Sequence, residues 1–83
     1  WYLLAAKQGD AQAQNQISLM YGLGEGVIQD NIYAYMWANL SVINGNKGGG
    51  KLRDIVSKKM SPSDISKAQE LTRECMKKKY KGC

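Results

Sequence analysis

The feature that most constrains the fold of this chain is a partial self-repetition with a period of thirty-six residues. The two copies share an aromatic, an aliphatic, a small, a glycine and a polar capping position, as the pairs Trp1/Trp37, Leu4/Leu40, Ala5/Ser41, Gly9/Gly45 and Asp10/Asn46. Self-similarity with a period of about 20 to 50 residues is typical of solenoid proteins. Since one solenoid repeat buries its apolar face only by stacking on a neighbour, the repetition predicts a stacked-repeat architecture.

The spacing of apolar residues predicts an all-α chain. Small and apolar residues recur three and four positions apart, as on one buried helix face, at Ala13, Ile17, Met20 and Tyr21 and again at Ala34, Trp37, Leu40 and Ser41. We expect one helix ending near residue 8 and further helices over about 11–23, 31–44, 49–59 and 62–79. The buried positions expected on the last two helices are Leu52, Ile55, Val56 and Lys59, then Ile65, Ala68, Leu71 or Thr72, and Cys75.

Capping residues and helix breakers mark the limits of these helices. N-caps are expected at Asp10, at Asp30 or Asn31, and at Ser61, which is followed by a proline suited to the first helical position. Gly9 and Gly45 are suited to the left-handed position just past a helix end. The alternating Gly22, Gly24 and Gly26 predict a tight turn with positive φ between two helices.

The eighty-three residues are enough for one small domain. Within this single domain, 1–83, we expect the end of a preceding repeat in 1–9, one complete repeat in 10–45, and C-terminal capping helices with a tail in 46–83. Because the chain opens on Trp1 and Tyr2, already within an apolar helical pattern, we expect a fragment or processed chain that follows an earlier helix.

A longer motif lies in the complete repeat. Its positions are Ala13, Tyr21, Gly24, Gly26, Asp30, Ala34, Trp37 and Gly45. This pattern resembles one unit of the Sel-one-like repeat family, whose members are tetratricopeptide-like solenoids of helix-turn-helix repeats. The resemblance implies an α-solenoid of antiparallel helix pairs with a C-terminal helical cap. Ser18, where the family usually has glycine, and Ser41-Val42, where it usually has two alanines, depart from the pattern and imply a slightly looser helix contact.

The resemblance also implies a role. Members of the family are non-catalytic adaptors or scaffolds that bind proteins on a curved surface, and within bacteria they suggest envelope or secreted functions. In such stacks the first helix of each repeat usually lines the concave side, which by analogy makes Gln12, Asn15, Gln16 and Leu19 the candidate partner-facing residues. The alternative is that these four side chains form an ordinary solvated helix face.

The composition disfavours an enzyme. Histidine, the commonest general base and metal ligand, is absent from the chain, and two cysteines alone are too few for a metal site. Residues 45–51 match the glycine and lysine spacing of a phosphate-binding P-loop, but Leu52 stands where Ser or Thr would ligate magnesium, and the segment follows a predicted helix rather than a strand. We therefore interpret this glycine run as a flexible linker and expect no cofactor and no small-molecule substrate.

The charge is unevenly distributed. Residues 51–83 hold ten of the twelve Lys and Arg residues but four of the seven acidic residues. The favoured interpretation is a solvated surface; the alternative is binding of nucleic acid or another anionic surface through the C-terminal cluster Lys77, Lys78, Lys79 and Lys81. A further alternative is an accessory structural subunit of a larger complex. No run of apolar residues approaches the roughly 18 needed to span a bilayer.

The two cysteines, Cys75 and Cys83, both lie near the C-terminus. Cys75 falls on the last predicted helix, and Gly82 is suited to reverse the tail towards it. A disulfide between them is the favoured hypothesis, which together with the family resemblance predicts a periplasmic or secreted protein. The alternative is a buried thiol at Cys75 and a free one at Cys83.

Overall fold

A computed structural model describes residue 6, residues 8–46 and 48–80, and residue 83. Within these residues the fold is all-helical, with no strand and four α-helices: α1 (Ala11–Leu23), α2 (Asn31–Ile43), α3 (Gly48–Ser57) and α4 (Pro62–Lys77). The predicted all-α class is confirmed. Of the helix expected to end near residue 8, Ala6 is helical, and Trp1 and Leu4 lie outside the described residues. The described helices are all too short or too polar to span a membrane.

Three helices begin at the predicted capping residues. The Oδ1 atom of Asp10 accepts a hydrogen bond from the amide of Ala13 at 3.0 Å. The Oδ1 atom of Asp30 accepts hydrogen bonds from the amides of Ile32 and Tyr33 in α2, at 2.9 and 3.2 Å. Ser61 Oγ accepts from the amide three residues further on at 3.1 Å, and a proline follows it at the first helical position. These bonds satisfy amides that the first helical turn leaves without a partner.

The turn between α1 and α2 uses two of the three predicted glycines. Gly24 and Gly26 have φ angles of +72° and +74°, and the amide of Gly24 donates to the carbonyl of Met20. The prediction for Gly22 was wrong, because this residue lies within the last turn of α1. A Cβ atom added there would make ordinary contacts, at 3.8 Å from Ala34 Cβ. The left-handed backbone is therefore needed only after α1 has ended.

The central element is α2, against which α1, α3 and α4 all pack. The four predicted core positions of this helix are fully buried, but the neighbouring positions are buried as well, so that the complete set is Ala34, Tyr35, Met36, Trp37, Ala38, Leu40 and Ser41. A single stripe is the expectation for a helix with one neighbour. With three neighbours, α2 is covered on nearly every side.

The core consists of two clusters, and α2 contributes residues to both. One contains Ala6, Ala13, Ile17, Met36, Trp37, Leu40 and Cys75, and the other contains Ala34, Tyr35, Val56 and Ala68. On α3 only Gly49 and Val56 are buried, whereas Ile55 is 50 % exposed and Lys59 is exposed. The predicted core positions Ile55 and Lys59 were therefore wrong: Ile55 lies on the exposed side of α3, and Lys59 follows the end of this helix.

Candidate partner-binding surface and C-terminal tail

The four candidate partner-facing residues lie on one side of α1. Gln12 is exposed and Asn15, Gln16 and Leu19 are half-buried, whereas the buried residues of this helix are Ala13, Gln14, Ile17 and Ser18. At 100° per residue these two sets fall on opposite sides of the helix. The Oδ1 atom of Asn15 is shielded from solvent and finds no hydrogen-bond donor among the described residues. The side of α1 away from the core thus carries an unpaired acceptor.

The same side of α1 continues into an apolar end. Leu23 is 63 % exposed and lies four positions after Leu19, so both belong to one stripe. In the following loop, Ile28 is 89 % exposed. Leu23 was not among the predicted site residues, although its spacing from Leu19 could have identified it. We call the stripe formed by Gln12, Asn15, Gln16, Leu19 and Leu23 the α1 face.

The P-loop-like glycine run forms the start of α3. The Oδ1 atom of Asn46 accepts from the amide of Gly48 at 2.8 Å, so the side chain that precedes the helix already occupies this amide. Gly49 is buried against α2, where an added Cβ atom would lie 2.9 Å from the carbonyl oxygen of Ala38. The interpretation as a flexible linker was therefore wrong for Gly49. Its lack of a side chain allows α3 to approach α2 closely.

Cys75 and Cys83 are placed as a disulfide pair, with Cα atoms 5.8 Å apart. Cys75 is 2 % exposed and belongs to the first core cluster, whereas Cys83 is half-buried. The chain turns back at Lys79 and Tyr80, whose φ angles are +53° and +68°. Gly82, from which the reversal was expected, lies outside the described residues.

The tail that follows α4 reaches the beginning of α1 through Tyr80. The hydroxyl of Tyr80 exchanges hydrogen bonds with the side-chain amide of Asn44, at 3.0 and 3.2 Å. Asn44 also donates to Gln14 Oε1 at 3.0 Å, and Gln14 Nε2 donates to the carbonyl of Ala6 at 2.9 Å. Gln14 has no solvent-exposed surface. A polar network therefore connects the tail, the end of α2 and the segment that precedes α1.

This network was not predicted. A lone glutamine one position from a core alanine carries no signal of burial in the sequence, since glutamine is usually exposed. Hydrogen bonds in this network join residues far apart in the chain: Gln14 and Asn44 are 30 positions apart, and Asn44 and Tyr80 are 36 positions apart. Only the tertiary fold brings them together.

The basic cluster lies at the end of α4. Lys77, Lys78 and Lys79 are exposed, and Lys81 lies outside the described residues. Glu70 and Glu74 are exposed on the same helix, so acidic and basic side chains alternate along it. Among the residues that the structure describes, no group of three or more potential metal ligands is brought together.

The motif residues of the repeat all have structural contacts. Ala13, Ala34 and Trp37 are buried, and Asp30 caps α2. The ring of Tyr21 lies 5.5 Å from that of Tyr33, centroid to centroid, and Gly24, Gly26 and Gly45 have positive φ angles. A structural role therefore accounts for every motif position, and none of them belongs to the α1 face.

Comparison of the chain with protein-family models, curated proteins and solved structures finds no significant match. Functional inference consequently depends on the residues of this chain and on the motif described above. The surface with the clearest chemical character is the α1 face, because it combines a shielded, unpaired acceptor with the half-buried Leu19 and the exposed Leu23.

Proposed function

We propose that this chain is a non-catalytic protein–protein interaction or scaffold module of the Sel-one-like repeat type, and that the α1 face binds the partner. The observation that carries the proposal is the composition of this face. It lies opposite the core and combines the unpaired Oδ1 atom of Asn15 with the partly exposed side chain of Leu19 and the exposed Leu23.

Two long-range hydrogen bonds support a helix-turn-helix repeat. Ser41 Oγ donates to the carbonyl of Ala11 at 2.9 Å, and Ser18 Oγ donates to the carbonyl of Ala34. The start of α1 is thus bonded to the end of α2, and the second half of α1 to the first half of α2. These contacts are the ones expected of an antiparallel helix pair, the unit of a tetratricopeptide-like solenoid, and they support the proposal.

The chemistry of the α1 face defines the kind of partner. An acceptor shielded from water costs about 1–3 kcal/mol when it has no donor, so a partner that displaces the atoms covering Asn15 Oδ1 and offers an N–H group there recovers this free energy. Leu19 and Leu23 provide an apolar contact one to two helical turns away. We therefore propose a peptide or protein surface with one hydrogen-bond donor and a neighbouring apolar side chain. The cysteine pair is compatible with a periplasmic or secreted location.

The test is capture of a partner from the native source by photo-crosslinking. A photoreactive residue at position 12, which is exposed on the α1 face, should capture a protein that is not captured from position 69, which is exposed on α4 and serves as the control. Asn15→Ala and Leu19→Ala should each weaken capture without loss of helicity, measured by circular dichroism. Capture that both variants leave unchanged would contradict the assignment.

The same variants separate this proposal from the basic alternative. Binding to nucleic acid through Lys77, Lys78 and Lys79 should fall steeply with salt and should not respond to Leu19→Ala. A gel shift at two salt concentrations distinguishes the two results. Salt-sensitive binding of nucleic acid by wild type and Leu19→Ala alike, with no protein captured from position 12, would favour the basic tail.

A further inference from the structure

We propose that the Cys75–Cys83 pair is a redox switch that controls the order of the beginning of α1. The tail, described at residues 78–80 and 83, follows α4 and is bonded back to this helix through Cys83. Between these points Tyr80 contacts Gly9, where its Cε2 atom lies 3.6 Å from the position of an added Cβ. The bond therefore positions a residue that touches the segment immediately before α1.

The two sulfur atoms differ in access. Cys75 is 2 % exposed within the first core cluster, while Cys83 is half-buried at the end of the chain. A cleft of about 40 Å³, open to solvent on one side, is lined by both cysteines together with Glu74 and Lys78. We therefore place the attack of an incoming thiolate at Cys83, the more exposed of the two residues.

Reduction requires a dithiol, either a small molecule or a protein with two neighbouring cysteines. One thiolate of the dithiol attacks Cys83 Sγ, which breaks the bond to Cys75 and forms a mixed disulfide. Cys75 leaves as a thiolate and takes up a proton. The second thiol of the dithiol then attacks the dithiol's first sulfur, which is bonded to Cys83 Sγ in the mixed disulfide. Cys83 is released as a thiol, and the dithiol is oxidised to an internal disulfide. The protein gains two electrons and two protons.

The backbone of the tail favours release once the bond is broken. Lys79 and Tyr80 both have left-handed backbone conformations, which residues with a side chain adopt at an energetic cost. Main-chain hydrogen bonds from Lys79 to Met76 and from Tyr80 to Cys75 also hold this turn. Without the covalent constraint only these bonds and the packing of Tyr80 remain, so that Tyr80 leaves Gly9 and Asn44 more readily. Loss of Tyr80 weakens the polar network that holds Gln14 against the carbonyl of Ala6.

The change should be local. Trp37 and Leu40 in α2 are fully buried and have apolar neighbours from α1, so their packing does not depend on the tail alone. The beginning of α1 is held by the Asp10 cap, by Ser41 and by Gln14, and Gln14 is part of the network that includes Tyr80. Control of partner binding by the switch rests on the proposed function of the α1 face. Control of the order of α1 does not.

Amide hydrogen exchange on the full chain tests the switch. Treatment with dithiothreitol without denaturant should make two thiols available to N-ethylmaleimide. Exchange over residues 10–18 should then accelerate about ten-fold or more, below the roughly 70-fold limit set by the chain entropy of so short a loop. Exchange over residues 34–41 should change by less than about two-fold.

Variants provide the controls. Cys75→Ser combined with Cys83→Ser should exchange rapidly over residues 10–18 with or without dithiothreitol. Tyr80→Phe keeps the covalent bond but loses the hydrogen bonds to Asn44, and should accelerate the same exchange only a few-fold. If the double variant does not fold, the wild-type comparison with and without dithiothreitol still decides the question.

Three results would overturn the proposal. The first is failure of dithiothreitol to liberate the two thiols under native conditions. The second is unchanged exchange over residues 10–18 after both thiols have been labelled. The third is equal acceleration over residues 34–41, since this would show that the bond stabilises the whole fold rather than one part of it. None of these measurements involves a partner, so they remain separate from a failure of the proposed binding function.

Discussion

Replacing Gly49 by alanine tests whether the glycine run is a packed joint between α2 and α3. A Cβ atom at this position would lie 2.9 Å from the carbonyl oxygen of Ala38 and 3.0 Å from Ser41 Oγ. Both neighbours belong to the central helix and are buried, so neither can move freely. Gly50 follows in the same helix, and a Cβ atom there would lie 3.8 Å from Val42 Cγ2, an ordinary contact distance.

The magnitude follows from a comparison of the two positions. Alanine in place of glycine favours a helix by up to about 1 kcal/mol, and this gain applies to both variants. Overpacking a filled interior costs about 1–3 kcal/mol, and this cost applies only to Gly49→Ala. Because the helix-propensity and unfolded-state effects largely cancel in the comparison, Gly49→Ala should have a free energy of unfolding about 1–3 kcal/mol lower than Gly50→Ala.

Urea unfolding followed by circular dichroism measures this difference. Gly50→Ala should unfold at the same or a higher urea concentration than the wild type, and Gly49→Ala at the lowest of the three. In a domain of this size each 1 kcal/mol corresponds to a change in Tm of roughly 4–8 °C. If Gly49→Ala were as stable as Gly50→Ala, then α3 would not be packed against Ala38, and the linker interpretation would be restored.

Three other substitutions test the fold, with Gln69→Ala on the exposed side of α4 as a common control that should leave the urea midpoint unchanged. Asp30→Ala should lower the free energy of unfolding by about 1 kcal/mol through loss of the α2 cap, and Asp30→Asn should recover most of it; equal stability of both would contradict the capping role. Gln14→Ala should cost about 1–3 kcal/mol, because it leaves a buried carbonyl without its donor; a urea midpoint equal to that of the wild type would show that water replaces the side chain. Cys75→Ser with Cys83→Ser should lower the urea midpoint by less than Gln14→Ala does, because the bond orders the tail and the beginning of α1 rather than the whole fold, and the wild-type mass should rise by two hydrogens on reduction; no mass change would exclude the disulfide.

The helices and their beginnings could be predicted because their signals are local. Asp10, Asp30 and Ser61 are each bonded to amides two or three residues away, so the sequence contains both partners of the capping interaction within one turn. The same reason explains the positions of Gly24 and Gly26, whose conformations end one helix and prepare the next. Propensity and short-range hydrogen bonds decide these features with little help from the rest of the fold.

The environment of α2 could not be predicted in the same way. The apolar residues of this helix were assigned to one stripe, yet Tyr35, Met36 and Ala38 are also buried. Their burial depends on how many helices surround α2, and the periodicity of one helix does not contain this number. Ile55 shows the reverse error, since its spacing suits a core position but its side chain is 50 % exposed, and the buried residues of α3 are Gly49 and Val56.

The candidate site was partly predictable. Asn15 and Leu19 were placed together by helical spacing and the family analogy, and Leu23 follows from the same spacing. The unpaired state of the Asn15 acceptor depends on the atoms around it and had no signal in the sequence. Gln14 and Tyr80 belong to elements at opposite ends of the chain, so their shared network depends on tertiary structure alone.

The composition of the α1 face also distinguishes recognition of a partner from stacking of a further repeat. Stacked repeats bury continuous apolar surfaces, as α2 does with Ala34 and Trp37. Covering Gln12, Asn15 and Gln16 with an apolar helix would instead leave three amides without water, at about 1–3 kcal/mol for each unsatisfied group. A neighbour with matching donors and acceptors avoids this cost. The polar half of the α1 face therefore favours a partner that forms hydrogen bonds over another copy of the repeat.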